Sequence, residues 1–191
     1  MTDIRQRAIK PLDYIRIQTA CGHVTSNERV NQKWSLYFRI RWETGIRPSE
    51  GLNLKAQDVY PGMLKVARLK KREEAIDHVV IQPLLETAIH EYIIEENIKP
   101  TQRLFPDTIQ GAWYIFKKIK DELGLPDTIT LHSFRHGFAL NFLSQVKQSS
   151  DPTTALRYLQ RALGHTNLTS TQVYIRAEQT EVDDQMKRMR F

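Results

Sequence analysis

Apolar residues recur at helical spacing along several stretches of the chain, and polar breaks separate these stretches. The pattern predicts helices over residues 12–20, 28–44, 83–97 and 108–123. The second of these carries an aromatic stripe, and the fourth has lysines on a face away from its apolar residues. We therefore expect a mainly helical domain whose core is built from these apolar faces.

The periodicity changes to two within residues 58–83, which is typical of β-strands. Leu64 and Val66 alternate with polar or small residues, a charged tip follows, and a second apolar run leads out. This pattern predicts a β-hairpin, one face of which would hold Leu64, Val66, Arg68 and Lys70. The predicted fold class is therefore α+β, mainly α-helical, with a small antiparallel β-hairpin or sheet.

The last third of the chain predicts a helix, a turn and a second helix. Apolar residues at helical spacing in 155–163 precede Gly164, which fits a left-handed C-cap, and the polar stretch that follows suits a helix N-terminus. His165 lies just past the turn, and Tyr174 follows it on the second helix, so both can reach one pocket. Taken singly, a tyrosine is more often a packing residue, and a Gly-His turn is more often only a turn.

Three segments look less regular than the rest. Residues 1–10 are basic with little apolar material, which predicts an arm or linker, and residues 145–154 are rich in Gln, Ser and Asp, which predicts a loop. The end of the chain is polar with a weak amphipathic pattern, and we expect it to bury little against its own domain. These patterns divide the chain into an arm at 1–10, a domain at 11–179 and a tail at 180–191.

Composition and charge narrow the function classes. The chain has 191 residues, with 28 Lys and Arg against 22 Asp and Glu, and a formal net charge of +6. This length suits one domain with a substantial core, and the basic balance suits a polyanionic partner such as nucleic acid. The single Cys21 excludes an internal disulfide, and neither a membrane span nor a signal peptide is visible. We expect a soluble, cytoplasmic protein.

Arg47 lies at a junction between two predicted helices. Gly45 would end the first helix, and Pro48 suits the first turn of the second. A helix dipole disfavours a cation at its N-terminus, so an anionic ligand would resolve the conflict. Pairing of Arg47 with Glu50 or Asp58 would resolve it as well, and both interpretations stay open at this point.

His132 and Arg135 are three positions apart, so both side chains can project from one helical face. The neighbouring His136 is expected to turn away from them. A metal site built from His132, His136 and His165 is an alternative, but no matching set of carboxylates or thiols accompanies these histidines. We therefore expect neither a metal nor a small-molecule cofactor.

These elements together resemble the signature of the tyrosine recombinase, or phage integrase, family. They are Thr-Gly-Ile-Arg-Pro-Ser-Glu at 44–50, His-Ser-Phe-Arg-His at 132–136, Leu-Gly-His at 163–165 and Tyr174, in that order. The resemblance begins near Pro11 and runs to the end of the chain. It implies a tyrosine-recombinase catalytic domain, whereas the family's usual amino-terminal DNA-clamping domain has no counterpart in this sequence.

The resemblance implies a phosphate-binding site made of five side chains. A phosphodiester is an anion that repels nucleophiles, so its cleavage without a metal needs fixed positive charge at the non-bridging oxygens. The planar forks of Arg47 and Arg135 suit that task, with Glu50 as a supporting carboxylate. His132 and His165 would add hydrogen bonds and move protons near neutral pH.

Tyr174 is the nucleophile that the resemblance implies. Its ordinary pKa of about 10 means that it needs a proton acceptor or a cationic pocket before it attacks. The attack would give a 3′-phosphotyrosyl link and a free 5′-hydroxyl, and the family's hairpin lysine would protonate the leaving oxygen. Lys70 is the expected lysine and Lys71 its rival, although a lysine pair at a hairpin tip is most often a solvated turn.

The expected function is site-specific DNA recombination on double-stranded DNA, without ATP, metal or membrane, by a homo-tetramer whose tails dock on neighbouring protomers. Paired strand exchanges would give integration, excision or inversion, as in mobile genetic elements. Two alternatives are a non-catalytic regulator that uses residues 154–176 as a helix-turn-helix, and a relaxing topoisomerase. The stretch Arg-Leu-Lys-Lys at 68–71 is similar to a hairpin of the fimbrial phase-switch invertases. The chain is therefore either a catalytic fragment of a longer protein or a short recombinase of that type.

Overall fold

The computed structural model describes residues 3–69, 74–146, 151–164, 171–174 and 187. Its first half contains a short 3-10 helix at Ile4–Arg7, then α1 (Pro11–Cys21), α2 (Glu28–Thr44), α3 (Pro48–Leu52) and a 3-10 turn at Ala56–Asp58. The strands are β1 (Val59–Tyr60), β2 (Met63–Leu69) and β3 (Glu74–Val80). The helices that follow are α4 (Pro83–Glu95), α5 (Ile109–Leu123), α6 (Ser133–Val146) and α7 (Pro152–Leu163). Residues 171–174 form one further helical turn.

The predicted fold class is confirmed, since helices dominate and the strands form one small antiparallel sheet. All four helices predicted from periodicity are present, as α1, α2, α4 and α5. Local signals fix the ends of α2. The side chain of Asn27 accepts a hydrogen bond from the backbone N–H of Val30 at the start, and Gly45 ends the helix in the left-handed region with φ 66°.

The sheet has the order β1-β2-β3, with both neighbouring pairs antiparallel. Leu64, Val66 and Arg68 are buried on one face of β2, as the alternation predicts. The register pairs Val66 with Asp77 and Arg68 with Ala75 across to β3. A charged residue, Arg68, therefore lies on the buried face of the hairpin.

Residues 4–9 pack along α6. Ala8 and Ile9 are buried, and the backbone N–H of Ile9 donates to the carbonyl of Ser133 at 3.2 Å. Gly137 of α6 permits this approach, because a Cβ at that position would lie 2.4 Å from the Ile9 carbonyl oxygen. The sequence predicts an arm here because the apolar residues Ile4, Ala8 and Ile9 stand among charges and are too few for a periodic signal.

The loop predicted at 145–154 is mostly helix in its described part, which corrects that prediction. Helix α6 continues to Val146, and α7 begins at Pro152. Asp151 caps α7, since its side chain accepts from the backbone N–H groups of Thr153 and Thr154 at 2.9 and 3.1 Å. Polar composition and an Asp-Pro step fit a helix start as well as a loop. Residues 147–150 lie outside the described residues.

Two groups of buried apolar side chains hold the domain together. The main core joins α1, α2, α4, α5 and the sheet, and it includes stacked aromatic rings such as Phe38 on Phe134, 5.0 Å between centroids. A separate group, here called the small core, is formed between α6, α7 and the last described turn by Ala139, Leu143, Ala155, Leu159, Leu163 and Tyr174. The boundary between the two cores runs along α6, which also carries Arg135 and His136.

Candidate active site

The carboxylate of Glu50 holds Arg47 at the junction of α2 and α3. The backbone N–H of Arg47 donates to Glu50 Oε2 at 2.7 Å, and Arg47 Nη1 donates to Glu50 Oε1 at 2.8 Å. The Arg47 side chain is 38% exposed, whereas Glu50 is buried. The pairing considered from the sequence is therefore present, and it uses only part of a guanidinium that carries five donors. The rest of the fork is available to an anion.

Arg135 joins the ends of two helices to α6. It is 4% exposed, its Nη1 donates to the carbonyl of Gly45, and its Nη2 donates to the carbonyl of Leu163, both at 2.8 Å. Gly45 follows α2 directly, and Leu163 is the last residue of α7. Burial and the neighbouring charge of Arg47 lower the pKa of Arg135 to about 10. The guanidinium therefore stays charged at neutral pH.

His132 precedes α6 by one residue, and its side chain is exposed to solvent on one side while the rest is covered by the protein. Its carbonyl accepts the backbone N–H of Arg135 at 3.0 Å, so the two residues share the first turn, as their spacing predicts. Partial burial lowers the pKa of His132, and the charges of Arg41, Arg135 and Arg47 lower it further. A neutral imidazole with both an acceptor and a donor nitrogen therefore stands beside the arginines near neutral pH.

His136 contacts the hydroxyl of Tyr174, which corrects the expectation that it turns away from the site. Its Nδ1 lies 3.0 Å from the hydroxyl oxygen, and the ring centroids are 5.9 Å apart. His136 is the neighbour of Arg135 on α6, and Tyr174 reaches the helix on the side of His136. The spacing of four residues between His132 and His136 places both on one side of α6, and this signal could have predicted the contact.

Tyr174 is covered in this arrangement, with 3% exposure and a place in the small core. Burial raises its pKa, and the charges of Arg135 and Arg47 only partly oppose that effect. Burial and the charges of His132 and Arg135 lower the pKa of His136 to about 4. Near neutral pH a protonated phenol therefore lies against a neutral imidazole, and the phenol donates to Nδ1 in the tautomer that carries its proton on Nε2. A protonated phenol is a weak nucleophile, so this arrangement does not by itself favour attack by Tyr174.

A buried ionic network links the hairpin to Arg47, and it was not predicted from the sequence. Arg68 is 2% exposed, and it donates from Nη1 to Glu50 Oε2 at 2.8 Å and from Nη2 to Asp77 Oδ2 at 3.1 Å. Burial raises the pKa of Glu50, but Arg68 and the hydrogen bonds from Arg47 outweigh burial and lower the pKa overall. A charged residue in register with Leu64 and Val66 was the available signal.

Two of the predicted site residues, Lys70 and His165, lie outside the described residues, as does Lys71. Strand β2 is described to Leu69, and α7 ends at Gly164 in the left-handed region with φ 60°. The predicted C-cap is therefore confirmed, while Lys70 and His165 stay predictions. The structure brings together the other four: Arg47, His132, Arg135 and Tyr174.

The described site offers cationic and neutral donors rather than metal ligands. Within the described residues, no group of three or more His, Cys, Asp or Glu side chains is placed to hold a metal ion. The partly exposed guanidinium of Arg47 is suited to bind a phosphate, the buried Arg135 adds positive charge, and the imidazole of His132 is suited to move a proton. None of the helices in the described part of the chain is both long and apolar enough to cross a membrane.

Comparison with known proteins places the chain among recombinases. Residues 13–181 match the phage integrase family. The tyrosine recombinase XerD of Oceanobacillus iheyensis is 31% identical over 176 residues, which are 84% of this chain and 56% of the relative. The tyrosine recombinase XerA of Thermococcus onnurineus is 34% identical over 152 residues, which are 73% of this chain and 49% of the relative. The chain thus spans about half the length of these curated relatives.

Solved structures of low sequence identity share the fold. The catalytic domain of bacteriophage HP1 integrase matches with a TM-score of 0.66 and 22% identity, covering 94% of this chain and 93% of that chain. The XerH recombinase in its post-cleavage complex matches with a TM-score of 0.74 and 19% identity, covering 95% of this chain and 52% of that chain. The family match extends over nearly the whole chain, and the fold agrees with it. The chain therefore belongs to the phage integrase family and carries a tyrosine recombinase catalytic domain.

Proposed function

We propose that the chain is the catalytic part of a site-specific DNA recombinase that cuts and rejoins strands through a 3′-phosphotyrosyl link to Tyr174. One observation carries the proposal: the Tyr174 hydroxyl lies 3.0 Å from Nδ1 of His136, the neighbour of Arg135 on α6, where the positive charges of Arg135 and Arg47 act on it. A phosphate bound between these guanidiniums would lie beside the tyrosine. No metal is needed for such a centre, because the arginines supply the fixed positive charge.

In the proposed reaction the Tyr174 oxygen attacks the scissile phosphorus, and the bond from phosphorus to the 5′ oxygen breaks. The phenol loses its proton to a neighbouring base, and the leaving 5′ oxygen gains one, for which Lys70 is the proposed donor. Arg47, Arg135 and His132, with His165 from the sequence pattern, would stabilise the charge on the non-bridging oxygens. The phosphotyrosyl link conserves the bond energy, so rejoining by a free 5′-hydroxyl needs no ATP.

Double-stranded DNA is the proposed partner. Related proteins have been solved with DNA: XerH on its difH substrate, a λ integrase dimer on a COC′ core site and Tn1549 integrase with circular intermediate DNA. The net charge of +6 agrees with such a partner. We further propose that residues 11–179 act as the catalytic domain and that the protein works at the nucleoid in the cytoplasm. Four copies would assemble on paired DNA sites, and residues 180–191 of each copy would dock on a neighbouring protomer.

Covalent capture on DNA tests the proposal. Duplexes are first selected by the protein from a random pool, rebuilt with a nick beside each candidate cleavage position, and incubated with the protein in EDTA. We expect a protein-DNA band that survives denaturation, is absent for Tyr174→Phe and is retained for Tyr158→Phe. Tyr158 is the matched control, because it is an exposed tyrosine of α7.

The alternatives predict different results in the same experiment. Binding without any adduct would contradict the proposal and favour a non-catalytic DNA-binding regulator. Relaxation of supercoiled plasmids that lack a selected site, at the rate seen for plasmids that carry one, would favour a topoisomerase. The Tyr174 hydroxyl lies against His136 and within the field of two arginine charges, which favours the recombinase or the topoisomerase over the regulator.

A further inference from the structure

We propose that Arg68 is a positioning residue that holds three segments of the catalytic centre in fixed relation: the Arg47 motif, the hairpin and the carboxyl end of α7. The inference rests on the proposed function and deepens it. In the described part of the chain Arg68 donates to Glu50, Asp77 and the carbonyl of Ala162, so its action passes through the residues that it binds. Those residues belong to three different elements of the fold.

The first segment is reached through a shared carboxylate. Glu50 Oε2 accepts both the backbone N–H of Arg47 at 2.7 Å and Nη1 of Arg68 at 2.8 Å. The other oxygen of Glu50 accepts from Arg47 Nη1 at 2.8 Å. Movement of Arg68 would therefore move the carboxylate that fixes both the backbone and the guanidinium of Arg47.

The second segment is the hairpin itself. Nε and Nη2 of Arg68 donate to Asp77 Oδ2 at 3.2 and 3.1 Å, so the guanidinium lies across β2 and β3 on the face that turns inward. Lys70 follows Arg68 by two residues in the sequence. The ionic network therefore anchors the part of β2 that directly precedes this lysine in the sequence.

The third segment is the carboxyl end of α7. Nη2 of Arg68 approaches the carbonyl of Ala162 at 3.4 Å, and Nη2 of Arg135 donates to the next carbonyl, that of Leu163, at 2.8 Å. Two buried cations thus hold successive carbonyls at the negative end of the helix. A Cβ on Gly164 would lie 2.7 Å from Arg68 Nε, so only glycine allows the approach. His165 follows Gly164 directly in the sequence.

Stability alone is a weak reason for such a network. A buried ion pair must overcome the desolvation of its charges, and apolar residues of similar volume often give equal or greater stability. A guanidinium instead fixes the relative orientation of the groups that it binds, because its donors lie in one plane and can bind several acceptors at once. A lysine at position 68 would carry the same charge, but its single ammonium cannot reach Glu50, Asp77 and the Ala162 carbonyl together.

The test compares cleavage with DNA binding in Arg68→Lys. We expect the single-turnover rate of adduct formation to fall about tenfold or more, while DNA affinity and the thermal unfolding temperature stay close to those of the wild type. Arg16→Lys is the matched control, because Arg16 also binds an aspartate and a helix-terminal carbonyl, those of Asp13 and Leu123, but on the exposed surface. Its cleavage rate should not change.

A double variant separates positioning from general weakening of the fold. If Arg68 acts through Glu50, then Arg68→Lys combined with Glu50→Gln should cleave no more slowly than the slower single variant. If Arg68→Lys does not fold, Asp77→Asn replaces it, since it removes one anchor of Arg68 from a partly exposed position. This variant should also cleave more slowly with unchanged DNA binding.

Each outcome is decisive for one of the two proposals. A wild-type protein without any adduct overturns the proposed function and this inference with it. A wild-type adduct together with an unchanged rate in Arg68→Lys, or in Asp77→Asn where that variant is used, overturns this inference alone. Rate losses that multiply in the double variant also overturn it, because they show that Arg68 and Glu50 act independently.

Discussion

The Tyr174 hydroxyl lies 3.0 Å from His136 Nδ1, so the proposed nucleophile rests against a histidine next to the arginine that would bind its target. Burial makes this phenol harder to ionise, and the same burial makes the histidine harder to protonate. His136 is consequently a weak proton acceptor, poorly matched to a phenol whose pKa is raised. We interpret the contact as one that stores Tyr174 in the protonated form until DNA arrives.

The strength of the contact between His136 and Tyr174 can be measured as a coupling free energy. His136→Phe leaves the buried hydroxyl of Tyr174 without its acceptor, whereas the double variant with Tyr174→Phe removes both partners. Urea unfolding of the wild type, the two single variants and the double variant should give a coupling of about 1 kcal/mol. The pair of His136 and the exposed Tyr158 is the control and should give additive effects. Additivity for His136 and Tyr174 as well would contradict the contact.

Protonation of His136 should make stability depend on pH. Its pKa falls from 6.5 in the unfolded chain to about 4 in the folded one, so between these values the unfolded state binds more protons than the folded state. The contribution of this group to stability is complete above pH 6.5 and is lost as the pH falls towards 4. The free energy of unfolding should drop by up to about 1.4 kcal/mol per pH unit within that window.

Urea unfolding at several pH values within this window would measure the slope. His136→Asn should reduce it, and His90→Asn, at a half-exposed histidine of α4, should leave it unchanged. His132 also has a lowered pKa and contributes to wild type and variant alike. The difference between the two curves therefore isolates His136, and identical slopes would show that its protonation is not linked to folding.

Substitution of Gly45 should damage both the fold and the site. Its φ is +66°, and a Cβ there would lie 2.3 Å from the ring of Phe138. Gly62 has a similar φ of +71° with nothing within 4 Å of the same position, so it serves as the backbone-only control. Gly62→Ala should cost about 1 kcal/mol of unfolding free energy, and Gly45→Ala should cost about 1–3 kcal/mol more because the ring must move.

The same variant should slow cleavage, since the carbonyl of Gly45 holds Nη1 of Arg135. Thermal unfolding and single-turnover cleavage of both alanine variants would check this. Equal stability of the two variants would mean that Phe138 yields without cost. An unchanged cleavage rate in Gly45→Ala would mean that the carbonyl of Gly45 does not position Arg135.

Arg41 should lower the pKa of His132 from its buried position in the protein. It lies between the rings of Tyr37 and Phe134, with its Cζ 5.3 and 5.0 Å from their centroids, and its Nη2 donates to the carbonyl of Leu131. Partial burial lowers the pKa of His132, and the charge of Arg41 is the next largest cause. Arg41→Met should therefore raise the pKa of His132 towards its ordinary value.

An NMR titration of the His132 imidazole would measure the effect of Arg41→Met. Arg39→Met is the control, because Arg39 lies on the same helix but pairs with Glu43. The control should leave the titration of His132 in place. An unchanged His132 titration in Arg41→Met would show that solvent screens the buried charge from the imidazole.

Periodicity predicted most of the fold because burial requires it. The aromatic stripe of α2 and the alternation in β2 are properties of single elements, so the sequence displays them directly. The packing of Ile9 on α6 was not predictable in this way. It depends on a tertiary match between a short extended segment and Gly137, and neither side of that match is periodic.

The candidate site likewise has residues that the sequence predicts and contacts that it does not. Arg47, His132, Arg135 and Tyr174 stand in recognisable motifs with helix-start and helix-end signals around them, so their residue types and order were sufficient. The contacts of these residues could not be predicted from the sequence, because the Glu50-Arg68 pair and the His136-Tyr174 contact join elements that are distant in sequence. Contacts of this kind depend on which faces meet after folding, which local spacing does not specify.

Tyr174 packs in the small core, while Arg47 is anchored to Glu50 on the side of the main core. Release of the tyrosine therefore requires only a local opening between α6 and α7, whose free energy is a fraction of that for global unfolding. Amide hydrogens of α7 should then exchange with solvent through this opening faster than those of α2. Arg47, one of the two arginines proposed to bind phosphate, is held by Glu50 and can stay in place throughout. Binding of DNA by Arg47 and exposure of the proposed nucleophile would then be separate events with separate energies.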